Sequence, residues 1–196
     1  MMSTIARRLR RAPFTLSLST ATLKTLAADV LTQRYLEDAD AIDYKRSGVF
    51  MVFGFWYLGA FQYLLYVRAF PVWFPAAKRF GDHPTIQARM ADILGLRDLA
   101  KQVAAGNFIH IPFLFLPSFY LTQEVTTHGG AASPRRALTA CWSNWYSDCT
   151  NAWLIWIPGH AIFFSVPLWL RLPVNHSLSF LYTSVLSLTR GANGAS

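Results

Sequence analysis

Charge is what this chain has least of. Asp, Glu, Lys and Arg make up 14% of its 196 residues, against roughly 25% in ordinary soluble domains. Too little charge to clothe a water-soluble globule leaves a lipid-embedded one. Acidic residues are scarcer still toward the start, where none precedes Asp29. Cysteine is almost missing: Cys141 and Cys149 have neither metal-type spacing nor neighbouring ligand residues, which points to buried thiols. There is no phosphate-binding glycine loop and no internal repeat. The repeated ten-residue alternating segments that a membrane β-barrel needs are also lacking. No nucleophile and base sit in a recognisable pair, so no catalytic residue, cofactor or metal ligand is expected.

Long uncharged runs are what the chain does have. Ser47–Val67 lies between Arg46 and Arg68, Gln102–Gln123 between Lys101 and Glu124, and Cys149–Leu170 between Asp148 and Arg171. Each matches the ~20 residues a helix needs to cross a hydrocarbon core about 30 Å thick. A fourth run, Leu172–Thr189, is shorter and polar in its first half. The earlier segment PFTLSLSTATLKTLAADVLTQRYL is interrupted by Lys24 and Asp29. It reads either as a span with a polar inward face or as an amphipathic interfacial helix. Its small residues Ser17, Ser19, Thr20, Ala21, Ala27 and Ala28 would let a second helix come close.

Pro112, Pro117, Pro158 and Pro167 fall within these runs and should kink or end helices, leaving backbone groups that neighbours must satisfy. The fold class expected is therefore all-α, a polytopic integral membrane bundle of four to five proline-kinked helices. One membrane domain over 13–190 would lie between a basic arm at 1–12 and a tail at 191–196. The Phe70–Ala100 connection holds Pro71, Pro75 and Pro84 and a short amphipathic helix over Thr85–Leu99. The segment VTTHGGAASPRR reads as a mobile loop.

A net charge of +8 would suit a nucleic-acid partner, but the basic residues flank the neutral runs and do not interleave with aromatics on one face. The partners expected are a lipid bilayer and other membrane-protein subunits, not nucleic acid. Arg7, Arg8, Arg10 and Arg11 in an acid-free opening resemble a mitochondrial targeting helix or a retained basic arm held by anionic lipid. The arm and the Phe70–Lys101 segment would share the positive side, with the acidic Tyr35–Tyr44 loop opposite.

An ordered set of residues resembles one family of small polytopic membrane proteins. Pro13, Ala28-Asp29 and Gln33 stand at the spacing of that family's opening block. Asp43, Arg46, Gly54, Gly59 and Tyr66 match the next, with Ala60, Tyr63 and Leu65 where Pro, His and Trp are usual. Lys101 and Pro112 follow, with Gly106-Asn107 in place of Asp-Gln. The last block keeps Asn151, Trp153, Phe163, Val166-Pro167 and Arg171, then Tyr182 and Leu186-Ser187, while Ile155-Trp156 and Gly159 depart from it. The chain thus resembles the family named after Mpv-seventeen and the 22-kDa peroxisomal membrane protein. That resemblance implies a multi-span helical fold of the mitochondrial inner membrane or, alternatively, the peroxisomal membrane. It implies no established catalytic chemistry; some members are described as solute channels, others as needed for nucleotide or membrane homeostasis.

Six polar residues stand out as packing locks or as the lining of a lumen: Asp29, Gln33, Arg46, Asn107, Asn151 and Arg171. A carboxylate within a membrane helix costs roughly 2.5–3.5 kcal/mol on insertion scales, so Asp29 needs a cation or water. Arg46, Lys24 and Arg171 are its candidate partners. His110 and His160 could relay protons or bind metal, but neither has a second ligand at helical spacing, which favours packing. Tyr57, Trp73, Trp142 and Trp145 read as an interfacial aromatic belt rather than a pigment or quinone platform. Three functions follow: a non-catalytic accessory subunit of a larger membrane complex, a small-solute channel, and a membrane enzyme for which no residue cluster speaks.

Overall fold

The computed structural model describes residues 13–191, so the basic arm and residues 192–196 of the tail lie outside the described residues. The described residues are helical nearly throughout and contain no strand. Helix α1, Pro13–Leu31, is prolonged by a π-helical turn at Thr32–Leu36. Next come α2, Tyr44–Trp73, and two short helices, α3 Pro75–Asp82 and α4 Ile86–Ala91. They are followed by α5, Ile93–Ala131, α6, Pro134–Ser165, and α7, Leu168–Leu186, which ends in a π-helical turn at Ser187–Gly191.

Side-chain caps explain where several helices begin. Asp43, Thr85, Asp92 and Ser133 each accept a hydrogen bond from the backbone N–H three residues on, satisfying a donor that the first turn would leave unpaired. Two sequence expectations are corrected by these caps. Asp92 leaves helical geometry (φ −85°, ψ 77°) and splits Thr85–Leu99 into α4 and the start of α5. The segment expected as a mobile loop is mostly helix: α5 runs to Ala131 and α6 starts at Pro134, with Gly129 at φ 54° turning the chain. The Glu124 carboxylate accepts from the Ser133 N–H and the Arg136 guanidinium, which ties the two helices together at this corner.

Five long helices pack in a ring, in the order α1, α2, α5, α6, α7 and back to α1, each against the next. The chain reverses between successive long helices, by way of α3 and α4 between α2 and α5, so neighbours run antiparallel except α1 and α7, whose Lys24–Ser179 and Asp29–Ser187 pairs progress in the same direction. The contact of α1 with α2 is close enough to need glycine. A Cβ on Gly54 would come within 2.9 Å of the Ala21 carbonyl oxygen, and one on Gly59 within 2.9 Å of the Leu18 Cα. Ser17, Ala21 and Ala28 of the expected small-residue set do face inward; Ser19 and Ala27 face out.

Among the described residues two helices, α2 and α5, are long and apolar enough to cross a membrane, and half of each one's most apolar stretch is buried in the protein. Of the three long neutral runs, Ser47–Val67 and Gln102–Gln123 fall within these helices and Cys149–Leu170 does not. The Cys149–Leu170 run is broken at Val166-Pro167, both in extended geometry. Lys24 and Asp29 dilute α1, Asn151, Pro158 and His160 dilute α6, and Arg171, Asn175 and His176 dilute α7.

Aromatic side chains fill the middle of the ring. Phe53 and Tyr57 of α2 meet Phe115 of α5 at 5.3 and 5.7 Å between ring centroids. Phe115 meets Tyr182 of α7 at 5.7 Å, and Tyr182 meets Trp156 of α6 at 5.9 Å. Tyr57 is 1% exposed, so it belongs to the core and not to an interfacial belt; Trp73 and Trp142 are exposed as expected. Outside, large apolar side chains face away from the protein: Phe55, Leu64, Phe108, Phe113, Leu154 and Ile162 are each more than half exposed.

Candidate functional site

Two buried polar clusters sit inside the ring, and they differ in kind. The first is ionic and joins α1, α2 and α7. Asp29, wholly buried, accepts from Arg46 Nε at 2.9 Å and Ser187 Oγ at 2.6 Å on one oxygen. Its other oxygen accepts from Gln33 Nε2 at 2.8 Å and Ser47 Oγ at 2.7 Å. Gln33 follows Asp29 by one helical turn and so shares its face. Its own carbonyl oxygen accepts from the Asp43 N–H at 2.7 Å, which ties the start of α2 to the end of α1.

Arg46 is equally saturated. Its fork donates to both oxygens of Glu37 at 2.8 and 2.9 Å, and Nη2 also reaches the Ser187 carbonyl and hydroxyl oxygens. A guanidinium with five donors in a fixed plane suits this double carboxylate contact. Of the partners expected for Asp29, Arg46 is present. Lys24 instead donates to Ser179 Oγ, and Arg171 donates to the carbonyls of Phe164, Ala77 and Val166. Glu37, Ser47 and Ser187 complete the cluster and were not foreseen. Of these, Glu37 had a signal as an acid near the end of a helix that already carried Asp29, and Ser187 stood among the positions that resemble the family; Ser47 had none. A smaller ionic pair, Asp148 with Arg190 at 2.8 Å, ties α6 to the end of the chain, and Tyr120 donates to the same carboxylate at 2.7 Å.

The second cluster is neutral and joins α2, α5 and α6. His110 lies between two tyrosines, with Nε2 3.0 Å from Tyr57 Oη and Nδ1 3.0 Å from Tyr66 Oη. Tyr66 Oη is also 3.5 Å from His160 Nε2, and His160 Nδ1 is 3.1 Å from Asn107 Nδ2. With the Asn107 amide donating, one assignment gives every contact one donor and one acceptor. Protons point from Asn107 to His160, from His160 to Tyr66, from Tyr66 to His110 and from His110 to Tyr57. Each imidazole must leave one nitrogen unprotonated to accept, so both rings are neutral. The Gly106 backbone makes room for the His160 ring, to which an added Cβ would come within 3.0 Å.

Winding, not spacing, brings this second cluster together. Tyr57 and Tyr66 are nine residues apart, which at about 100° per residue would put them on opposite faces of an α-helix. Here Gly54–Phe61 and Leu64–Ala69 are π-helical, so each residue turns through a smaller angle and both hydroxyls face His110. On α5 the matching stretch, Ala105–Phe115, is π-helical too and carries Pro112 inside it.

The six residues singled out from the sequence therefore do not form one wall. Asp29, Gln33 and Arg46 share the ionic cluster, and Asn107 belongs to the neutral one. Arg171, wholly buried, caps the chain break after α6 and lies 5.7 Å from the Phe164 ring. Asn151 is half-buried on α6 with no side-chain hydrogen bond among the described residues. Several buried atoms lack partners there: both amide atoms of Gln102, Asn107 Oδ1, Arg171 Nη1, Asn175 Oδ1 and His176 Nδ1. No group of His, Cys, Asp and Glu fit to hold a metal occurs among the described residues. Cys141 and Cys149 are buried free thiols. No family profile, curated protein or solved structure matches this chain.

Proposed function

We propose that this is a non-catalytic integral membrane protein, a helical bundle that serves as an accessory subunit of a larger assembly in an organellar membrane. One observation carries the membrane reading: ionic and strongly polar side chains are buried in the bundle while large apolar side chains stand on its outer surface. Asp29, Gln33, Asn107, His110 and Arg171 are buried, while Phe55, Leu64, Phe108, Phe113, Leu154 and Ile162 face away from the protein. In water that arrangement would expose a broad apolar surface, which folded soluble monomers avoid; in lipid it is the stable one. Under this reading α1, α6 and α7 also span, their polar residues being turned inward by the ring. Five spans would then stand between a net basic end, with Lys78, Arg79, Arg89 and Arg97, and an end where Arg34, Lys45, Arg135 and Arg136 stand against Glu37, Asp38, Asp40 and Asp43. The basic end is the one at which α1 begins, so it would face the matrix in a mitochondrial inner membrane.

The state of the interior favours a subunit over a channel. A lumen would need Asp29, Gln33, Arg46 and Asn107 turned toward a common space. Instead the first three bond to one another, and edge-to-face and tilted aromatic rings occupy the centre of the ring. Membership of the Mpv-seventeen and peroxisomal membrane protein family is part of the same proposal. Its shared positions Asp29, Gln33, Arg46 and Ser187 meet in a single packing cluster, as a motif kept for folding would. Sizing in mild detergent tests the subunit reading. The expected result is migration only within an assembly several times the chain's own 22.1 kDa; a lone small oligomer would contradict it.

A further inference from the structure

We propose that Ile86, Met90, Ile93 and Leu94, at the basic end and outside the bilayer, dock an amphipathic helix of another subunit whose apolar side is bordered by carboxylates. The inference rests on the accessory-subunit reading and names the surface by which the chain joins its assembly. Ile86 and Met90 stand one turn apart on α4 and are 76% and 64% exposed. Ile93 and Leu94 open α5 directly after it and are 76% and 59% exposed.

Polar groups hold this segment from behind. Asp92, at the break between α4 and α5, accepts from the Arg79 guanidinium and the Gly95 N–H and pairs with His83. Arg89 of α4 donates to the carbonyls of His83 and Gly81 and lies 6.0 Å from the centre of the Phe80 ring. The cation of α4 is thus turned to the protein and its large apolar side chains are turned away, the reverse of a helix whose outer face meets water. Four large apolar side chains this exposed within so short a segment mark a binding surface.

Depth decides what covers it. Leu94 precedes Gln102, where the neutral run begins, by eight residues, about 12 Å of helix rise. Arg97, Asp98 and Lys101 fall in that interval. Each headgroup layer is about 5–8 Å thick, so the start of α5 stands beyond it. α4 stands there too, because Arg89 packs on Phe80, and Phe80 lies against Gly95, on which an added Cβ would come within 2.7 Å of it. What meets this face is a protein in the aqueous phase. Arg97 follows Ile93 by one turn, and Lys101 follows Arg97 by another, which sets two exposed cations beside the apolar face. Arg97 has no acidic partner among the described residues, and Lys101 reaches Asp98 only at 3.9 Å. An Asp or Glu on the facing helix answers this row. The chain's own start, with Arg7, Arg8, Arg10 and Arg11 and no acid before Asp29, does not.

The double variant Ile86→Gln with Ile93→Gln removes the apolar contact; Arg97→Glu reverses the charge beside it and Arg97→Lys keeps it. Each is to be expressed in the full chain in place of the wild type and sized in mild detergent, and the isolated variants melted. The expected result is a roughly tenfold or greater fall in the share of I86Q/I93Q and of R97E found in the large assembly, with R97K retained. The isolated variants should melt as wild type does, because the replaced side chains stand clear of the bundle. I86Q/I93Q remaining in the assembly overturns the inference and spares the subunit reading. So does an isolated I86Q/I93Q that melts well below wild type, which would make these residues packing groups of their own chain. A photo-crosslinker replacing Met90 should label a peptide of another subunit that carries Asp or Glu. Labelling confined to phospholipid, to residues 1–12 or to a second copy of this chain overturns the inference. Wild type found only as a small oligomer removes the subunit reading first and this inference with it.

Discussion

The cluster around Asp29 and the chain through His110 hold helices together by opposite means. The first concentrates full charges and answers each at once: two carboxylates, one guanidinium, two hydroxyls and an amide, with every oxygen of Asp29 used twice. The second carries no net charge and runs through neutral rings and hydroxyls in single file. A charge in a medium of low dielectric gains much from a partner and loses much without one, whereas a neutral donor risks only its own hydrogen bond. The ionic cluster should therefore be all-or-none, and the neutral chain tolerant of losing a link.

The largest expected effect is at the carboxylate. Asp29→Ala strands Arg46 beside Glu37 and removes the acceptor of Gln33, Ser47 and Ser187. It should cost about 3–5 kcal/mol, read as a fall in the thermal midpoint of the purified protein in detergent. Replacing Arg46 by Met in the same chain should recover part of that loss, since the uncompensated charge goes with it. Equal costs for the single and double variants would break the contrast.

His110→Phe comes next. It leaves the hydroxyls of Tyr57 and Tyr66 each short of a bond but fills the volume, so about 1–3 kcal/mol is expected on the same melting measurement. A loss as large as that of Asp29→Ala would mean the neutral chain is as cooperative as the ionic one. Smaller again is Gly106→Ala, which sets a Cβ about 3.0 Å from the His160 ring. An overpacking cost of about 1 kcal/mol would show that the ring is seated against α5; none would show that it is free to move.

An ionic group outside the bundle's interior, Asp92, supplies the lower limit. Asp92 is held well below the usual carboxylate range, first by its hydrogen bond from the Arg79 guanidinium and then by the Gly95 N–H. A carboxylate with a depressed folded pKa contributes stability fully above its unfolded value, about 4, and loses it as the pH falls below that. Amide exchange at Gly95 should accelerate as the pH falls below about 4, corrected for intrinsic rates, while amides around Asp29 stay protected. Simultaneous loss of protection at both places would make Asp92 part of the global core.

How much of this was legible in the sequence differs between the two clusters for a physical reason. Asp29 and Gln33 stand one ordinary helical turn apart, and Arg46 follows across a short turn, so these three members of the ionic cluster could be read from spacing and from the cost of an intramembrane acid, while Glu37, Ser47 and Ser187 could not. Tyr57, Tyr66 and His110 could not, because their meeting depends on π-helical winding that no 3.6-residue period reveals. One helix boundary was hidden in a similar way. Cys149–Leu170 is uncharged throughout, but charge counting cannot see the backbone turning extended at Val166-Pro167. The corner at Glu124, read as mobile from its Gly, Ala and Ser content, is fixed by one carboxylate meeting Ser133 and Arg136. Such pairing depends on tertiary placement and not on local composition.

Washing intact membranes with alkaline carbonate bears most directly on the claim that the apolar outer face lies in lipid. The account predicts that the chain stays with the membrane pellet and afterwards dissolves only in detergent. Recovery of folded, monomeric protein in the carbonate supernatant would contradict it.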